Sequence, residues 1–289
     1  MKLILGTSNF GSSYGLGDKK KIYGFSKKEL KKISIISNKK KINFFDTSFN
    51  YKNSHLKISK LSINNKKIIT KISVNTIVNK KNFKNLVKEE ISLIIGKFNF
   101  KIYALLIHDF YLLSKTDSIK AIKIFNELKK EKLFLNTGIS IYNPNEILKI
   151  YNKVPFDIIQ TPINVLDNRF EKFKYLKQLK KRNIKIIGRS CFLQGILSMN
   201  KTIPTSLINF KNKILSWKHW CDVRNLDYVT ACIHFLKNKK YLNFIIFGFD
   251  SPDQLIDLVN KFYTRKLKVD FYANIRKKDE NLIDPRKWY

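Results

Sequence analysis

Short apolar runs alternate with lysine-rich segments of helical period along most of the chain. The runs are KLILG (2–6), INFFD (42–46), KIITK (67–71), YALLIH (103–108), FLNTGIS (134–140), FDIIQ (156–160), IKIIGRS (184–190) and NFIIFG (243–248). Continuous apolar runs of this length suit strands buried on both faces, as in a parallel sheet. Between them, SKKELKKISIISNKK (26–40) predicts an amphipathic helix with Ser26 as N-cap and Glu29 three residues on, a capping box. NFKNLVKEEISLIIGKF (82–98), DSIKAIKIFNELKKEK (117–132), NPNEILKIYNK (143–153), RFEKFKYLKQLKKRN (169–183), LDYVTACIHFLKNKK (226–240) and SPDQLIDLVNKFY (251–263) predict further helices. Eight such alternations predict an α/β chain folded as a single (β/α)8 TIM barrel. Right-handed crossovers then gather the C-terminal ends of all strands on one face, which carries the active site.

The 289 residues, 44% of them apolar, suffice for one such barrel, and no linker composition divides residues 1–289. Residues 265–289 lack clear periodicity and read as a C-terminal tail that either wraps the barrel rim or frays. The segment 198–225, with Pro204, Trp217 and Trp220, is longer than a plain connection and predicts an added helix. Its tryptophans read as the buried side of an amphipathic helix in preference to a substrate lid. No stretch approaches the roughly 18 apolar residues of a membrane span, and the start MKLILGTSNFGSSYG lacks the apolar core of a signal peptide. The three cysteines, Cys191, Cys221 and Cys232, form no C-x-x-C, so a reducing cytoplasm is expected rather than a disulfide framework. Cys191 follows a predicted strand, where a reactive thiol is one reading and a buried bystander the preferred one.

A formal net charge of +35 raises the question of a nucleic-acid partner. Lysine supplies nearly all of it, spread evenly among Asn, Ile and Phe, and the first arginine is Arg169. Readers of phosphates and bases favour arginine for its bidentate geometry. The lysines therefore read mainly as a solvated outer face, with weak polyanion binding or attraction of acidic substrates as the remainder. No specific nucleic-acid or membrane partner is expected, which leaves a small-molecule substrate as the expected partner.

Candidate chemistry lies where the strands end. Asp46, Tyr51, Lys71 and His108 sit at or just after the ends of three predicted strands. A phenol gives up its proton reluctantly near pH 7, an adjacent ammonium favours the phenolate, and a carboxylate holds the ammonium in place. An imidazole beside them can orient a carbonyl. Taken singly, Asp46 reads equally well as a helix cap or a loop ion pair, and His108 and Tyr51 as ordinary residues. Gathered on one rim they suggest a carbonyl reductase whose hydride comes from elsewhere. The four histidines show no metal-ligand spacing, so no metal is expected. GSSYGLG (11–17) has the wrong spacing for a Rossmann phosphate loop.

The chain resembles the aldo-keto reductase superfamily along nearly its whole length. LILGTSNFG is similar to the family's opening strand, and INFFDTSFNY to its D-T-A-x-x-Y signature, with Asp46 and Tyr51 five residues apart. ITK ending in Lys71, LLIHD with His108, GISIYNP, DIIQTPINVLD, IIGRSCFLQGIL and IIFGFDSPDQL follow in family order. These last blocks and the ending IDPRKW resemble a bacterial branch linked to sugar and surface-polysaccharide pathways. The resemblance implies NAD(P)H-dependent reduction of an aldehyde or ketone, with a sugar-derived carbonyl among the candidate substrates. Tyr51 would be the general acid, Lys71 would favour its ionised form, Asp46 would pair with Lys71, and His108 would position the carbonyl. It also implies a dinucleotide lying across the rim. Ser140 and Gln160 would hold the nicotinamide carboxamide with Asn164 nearby, the loop 188–197 with Arg189 and Ser190 the pyrophosphate, and 248–254 with Gly248 and Gln254 the adenosine end. Phe10, Phe49 and Phe110 would wall the substrate pocket.

Three departures from the family pattern stand out. Ile141 follows Ser140 where many relatives have Asn. Arg189 falls where many have a tyrosine stacked on the nicotinamide, which puts a positive charge beside an oxidised ring. Gln254 falls where many have an arginine for the 2′-phosphate; local lysines can substitute, so NADPH remains the first choice and NADH the second. A non-catalytic relative that binds cofactor as a sensor or assembly subunit is the rival reading.

Overall fold

The computed structural model describes residues 1–11, 24–198, 203–273, 275 and 279–288. Beyond Gly11, the glycine-rich run 11–17 therefore lies outside the described residues, as do 199–202 of the long insertion. Eight parallel strands close into a barrel in sequence order: β1 (Lys2–Gly6), β2 (Phe44–Asp46), β3 (Lys67–Ile72), β4 (Lys101–Ile107), β5 (Asn136–Ser140), β6 (Ile158–Pro162), β7 (Lys185–Arg189) and β8 (Phe244–Phe247), with β8 pairing back on β1.

The inside of the barrel fills in layers. At the bottom, Phe44, Tyr103 and Phe244 form an aromatic plug, with Phe44 5.0 Å from Tyr103 and 5.2 Å from Phe244. Above it pack Ile4, Ile69, Ala104, Leu106, Ile158, Ile187 and Ile246. Gly138 supplies the missing bulk of β5 by having none: a Cβ there would lie 2.6 Å from the Ile158 carbonyl oxygen and 2.4 Å from Leu106. The outer face of the strands joins the larger core shared with the helices.

Two of those helices, α1 (Ser8–Gly11) and α3 (Ser54–Ser59), are short, and the longer ones follow the apolar period. α2 (Lys27–Lys39) starts at the Ser26–Glu29 capping box, with both reciprocal bonds present. α4 (Phe83–Phe98) and α5 (Lys115–Lys130) run side by side and are laced by Lys84 and Lys88 to Glu127 and Glu131. Exposed pairs of this kind contribute little each. In the long insertion, α7 (Lys211–Asp222) buries Trp217, whose indole donates to the Leu197 carbonyl at 3.0 Å. That helix packs its indole inward, as the sequence favoured. α8 (Tyr228–Lys237) and α9 (Pro252–Tyr263) complete the ring.

Two segments differ from their helical expectation. The stretch 143–153 forms a 3-10 turn, Pro144–Lys149, anchored by an Asn143–Glu146 capping box. Within 169–183 only Leu176–Lys181 is α-helical (α6), because the Arg169–Asp167 fork and the buried rings of Phe170 and Phe173 hold the chain in turns first. The tail wraps the rim: α10 (Glu280–Ile283) and the turn Pro285–Lys287 bury Leu282, Ile283 and Trp288. No described helix is long and apolar enough to cross a membrane.

Candidate active site

The period of two along a strand builds the site. Side chains two residues apart share a face, so each inward apolar residue is followed by an inward residue at the rim. Phe44 leads to Asp46, Ile69 to Lys71, Leu106 to His108, Ile158 to Gln160 and Ile187 to Arg189. Apolar layers thus end in a polar one, where the backbone opens and a ligand can enter. These residues line a cavity of about 410 Å³ at the C-terminal ends of the strands, together with Tyr51, Ser140, Ser190, Gly248 and Gln254.

At its centre, the Lys71 ammonium is bidentate to Asp46, at 2.8 Å to each oxygen, and donates to the Thr47 carbonyl at 2.6 Å. All three of its N–H groups are used, and the residue is 2% exposed. Burial pulls the ammonium below its ordinary pKa, Asp46 holds it up against that pull, and Arg189 adds to the lowering. Gln160 donates to Asp46 Oδ1 at 2.6 Å, so that carboxylate is held from two sides. Lys71 Nζ lies 5.3 Å from the Tyr51 ring centre, and the Tyr51 and His108 rings meet edge to face at 6.1 Å.

His108 is held by residues of the β2 loop. Its Nδ1 lies 3.0 Å from Ser48 Oγ and 3.4 Å from Asn50 Nδ2. An amide nitrogen only donates, so the Asn50 contact favours an accepting Nδ1 and a proton on Nε2, while Ser48 Oγ, which also reaches the Lys71 carbonyl at 3.2 Å, suits either tautomer. Burial, then Lys71 and Arg189, push the imidazole pKa down to about 3, so the ring is neutral at ordinary pH. A neutral imidazole with an Nε2 proton is a fixed hydrogen-bond donor. Ser48 and Asn50 went unnoticed in the sequence, although both lie inside the DTSFNY run that carries Asp46 and Tyr51.

Ser140 and Gln160 sit on neighbouring strands in register. Their only mutual contact is 3.5 Å, from Ser140 Oγ to Gln160 Oε1, so both keep hydrogen-bonding capacity at the cavity wall. A buried donor and acceptor side by side fit a carboxamide. Gln194 Oε1 and Asn9 Oδ1, on cavity-lining residues, are also buried and have no hydrogen-bond partner among the described residues. The pocket thus has unspent polar groups of the kind a nicotinamide dinucleotide requires.

Other expected residues lie elsewhere. Asn164 is buried behind the wall: its oxygen accepts from Leu166 and Asp167 and its amide donates to the Ser190 carbonyl, so it shapes the loop rather than facing the cavity. Phe10, Phe49 and Phe110 do not line the cavity. Phe10 packs edge-on against Phe25 and Phe249, Phe49 lies against His55, and Phe110 is fully buried under Lys149. All three rings belong to or pack against the core shared with the helices. The aromatic wall comes instead from Tyr142, Phe192 and Phe249, and the tail adds Pro285 and Arg286. Gln254 lines the cavity, with its side-chain oxygen capping the Asp250 amide at 2.5 Å. Cys191 is buried, and burial pushes its thiol far up.

The model of the aldo/keto reductase family matches residues 2–280. The chain is similar in structure to the aldo-keto reductase AKR11C1 from Bacillus halodurans in its holo form, with a TM-score of 0.72 and 18% identity over 99% of this chain and 91% of the other. It is also similar to the glycerol dehydrogenase AKR11B4 from Gluconobacter oxydans, with a TM-score of 0.67 and 16% identity over 92% of this chain and 87% of that one. No curated protein sequence matches the chain.

Proposed function

The chain belongs to the aldo/keto reductase family, a family of oxidoreductases acting on carbonyls, and from that premise we propose that it reduces a small aldehyde or ketone at the expense of NADPH, with Tyr51 as proton donor. The observation that carries the reading is the buried, bidentate Lys71–Asp46 pair set against the Tyr51 ring. A protein that only bound a ligand would have no use for an ammonium fully desolvated beside a phenol. The rival reading of a non-catalytic sensor or assembly subunit is disfavoured on that ground.

A reduced nicotinamide, when bound, supplies the hydride. The chain's own residues do the rest. Ser140 and Gln160 would hold the carboxamide from the cavity wall, and the β7 and β8 loops, with Ser190, Gly248 and Gln254, would take the remainder of the dinucleotide. The His108 Nε2 proton orients the substrate carbonyl oxygen. Tyr51 donates its phenolic proton to that oxygen as negative charge develops there. The Lys71 charge favours the phenolate left behind, and Asp46, held in turn by Gln160, keeps Lys71 in place. The rim, with its hydroxyl and amide groups and half-open mouth, suits a hydroxylated carbonyl. The glycerol dehydrogenase to which the fold is similar is named for a hydroxylated substrate of this kind.

The test is direct. Purified protein should quench on adding NADPH and should oxidise NADPH in the presence of short hydroxylated aldehydes, keto-sugars or aromatic aldehydes. Cofactor binding without turnover on any of these panels would favour the non-catalytic reading.

A further inference from the structure

Three cations line the cavity among the described residues, Lys71, Arg189 and Arg286, and two of them sit in ion pairs. Lys71 is matched by Asp46 at 2.8 Å, and Arg286 by Asp284 through contacts of 2.6 and 2.9 Å. Behind Tyr142, Asp167 is taken by the fork of Arg169 at 2.9 Å. Arg189 has no carboxylate within 4.0 Å among the described residues. Its guanidinium is nevertheless fixed. It stacks on the Tyr142 ring at 4.2 Å, donates to the Ile141 carbonyl at 3.0 Å and to Ser190 Oγ at 3.2 Å, and leaves a buried Nε unpartnered. Arg286 lies over the same Tyr142 ring at 3.4 Å. A cation locked in this way cannot turn out to water when a second positive charge enters.

The strand period aims this cation into the cavity two residues beyond Ile187, beside the β6 strand that carries Gln160. Its field is felt at the reacting end, where it depresses both Lys71 and His108. The proposed function places at that end a ring that is neutral when reduced and carries a full positive charge when oxidised. A fixed, unpaired cation interacts with the two forms differently by its Coulomb repulsion alone, and all contacts common to both forms cancel in the ratio of their affinities.

We propose that Arg189 makes this pocket discriminate between the redox states of the nicotinamide, holding the neutral reduced ring and expelling the oxidised one, and so sets the protein to run as a reductase rather than a dehydrogenase. The proposal rests on the reading that a nicotinamide lies beside Ser140 and Gln160. It also accounts for an arginine in place of an uncharged stacking ring: the planar guanidinium still offers a flat surface, and adds a charge that acts on one redox state only.

The experiment is a binding measurement without substrate, at pH 7.5. NADPH affinity is read from its own emission on binding, and NADP⁺ affinity from displacement of NADPH. The wild type should bind NADPH at least about ten-fold more tightly than NADP⁺, a difference of about 1.4 kcal/mol. Arg189→Leu should cut that ratio about five-fold or more, chiefly by tightening NADP⁺, whereas Arg189→Lys should keep most of it because the charge remains. Equal changes in both affinities, or an unchanged ratio in Arg189→Leu, would overturn the proposal and leave the reductase reading standing. So would a variant that spares both dinucleotides but loses affinity for carboxylate-bearing carbonyl substrates, since the charge would then serve the substrate. Failure of the wild type to bind either dinucleotide would overturn both readings together.

Discussion

Tyr51→Phe removes one oxygen atom and leaves the ring that faces Lys71 and His108. Dinucleotide affinity should stay within about two-fold while turnover falls by about 10²-fold or more, the scale of losing a general acid. Wild-type turnover in this variant would remove Tyr51 from the mechanism. Gln254 is the second residue with a defined expectation. An amide cannot form the charged fork that an arginine offers a 2′-phosphate, and this amide already caps the Asp250 backbone. Preference for NADPH over NADH should therefore be modest, about ten- to a hundred-fold, and Gln254→Arg should increase it; equal changes for both cofactors would place the phosphate elsewhere on the rim. Single residues were legible in the sequence where strand period aimed them. Asp46, Lys71, His108, Gln160 and Arg189 each follow an inward apolar residue by two positions. Asn164, Phe10, Phe49 and Phe110 sit in loops beyond that rule, where a local turn decides the direction of the side chain. Sequence proximity to the rim said nothing about that direction.

At the scale of elements, all eight strands were visible because each is a run of apolar residues too short for a helix and flanked by lysine-rich polar segments. Helices with a side-chain cap were visible too: Ser26 before α2 and Ser251 before α9 both accept from the third residue of their helix. The region 169–183 has lysines and apolar residues at helical spacing but no side-chain cap at Tyr175 before α6, and the buried Asp167–Arg169 fork overrides its weak propensity. The tail was illegible because Leu282, Ile283 and Trp288 reach cover only through the folded rim. Among the glycines of the barrel strands the tightest constraint is at Gly138, where a methyl group would meet the neighbouring backbone of β6 as well as Leu106. Gly138→Ala should therefore destabilise the barrel by about 1–3 kcal/mol through overpacking. Gly96, on the outer side of α4 with open space around its Cβ position, provides the control. There an alanine should be neutral or stabilise by up to about 1 kcal/mol. Equal melting temperatures for the two variants would show that the barrel interior yields more easily than its packing implies.

For the whole molecule, the governing quantity is charge. With 57 basic and 22 acidic residues, the folded chain repels itself, and protons added on acidification worsen the imbalance. Two half-buried histidines sharpen the effect at a defined pH, alongside the buried His234, which burial also holds below its ordinary pKa. Burial first, and then the Lys71 charge, push His55 down to about 4; the same two causes, with Arg189 in addition, push His108 down to about 3. In the unfolded chain both titrate near 6.5. Between pH 6.5 and 5.5 the unfolded state therefore binds protons that the folded state refuses. Stability rises with pH wherever the unfolded state holds more protons, so it must fall as pH is lowered through this window. The two histidines together can remove at most about 2 kcal/mol from pH 6.5 to 5.5, a range chosen above most carboxylate titration. Urea unfolding at pH 7.5, 6.5 and 5.5 should show little change over the first step and a clear loss over the second. The double variant His55→Gln, His108→Gln should lessen the second step, leaving the share of His234. An equally steep loss in that variant would mean that general charge repulsion together with His234, and not His55 and His108, sets the acid limit of the fold.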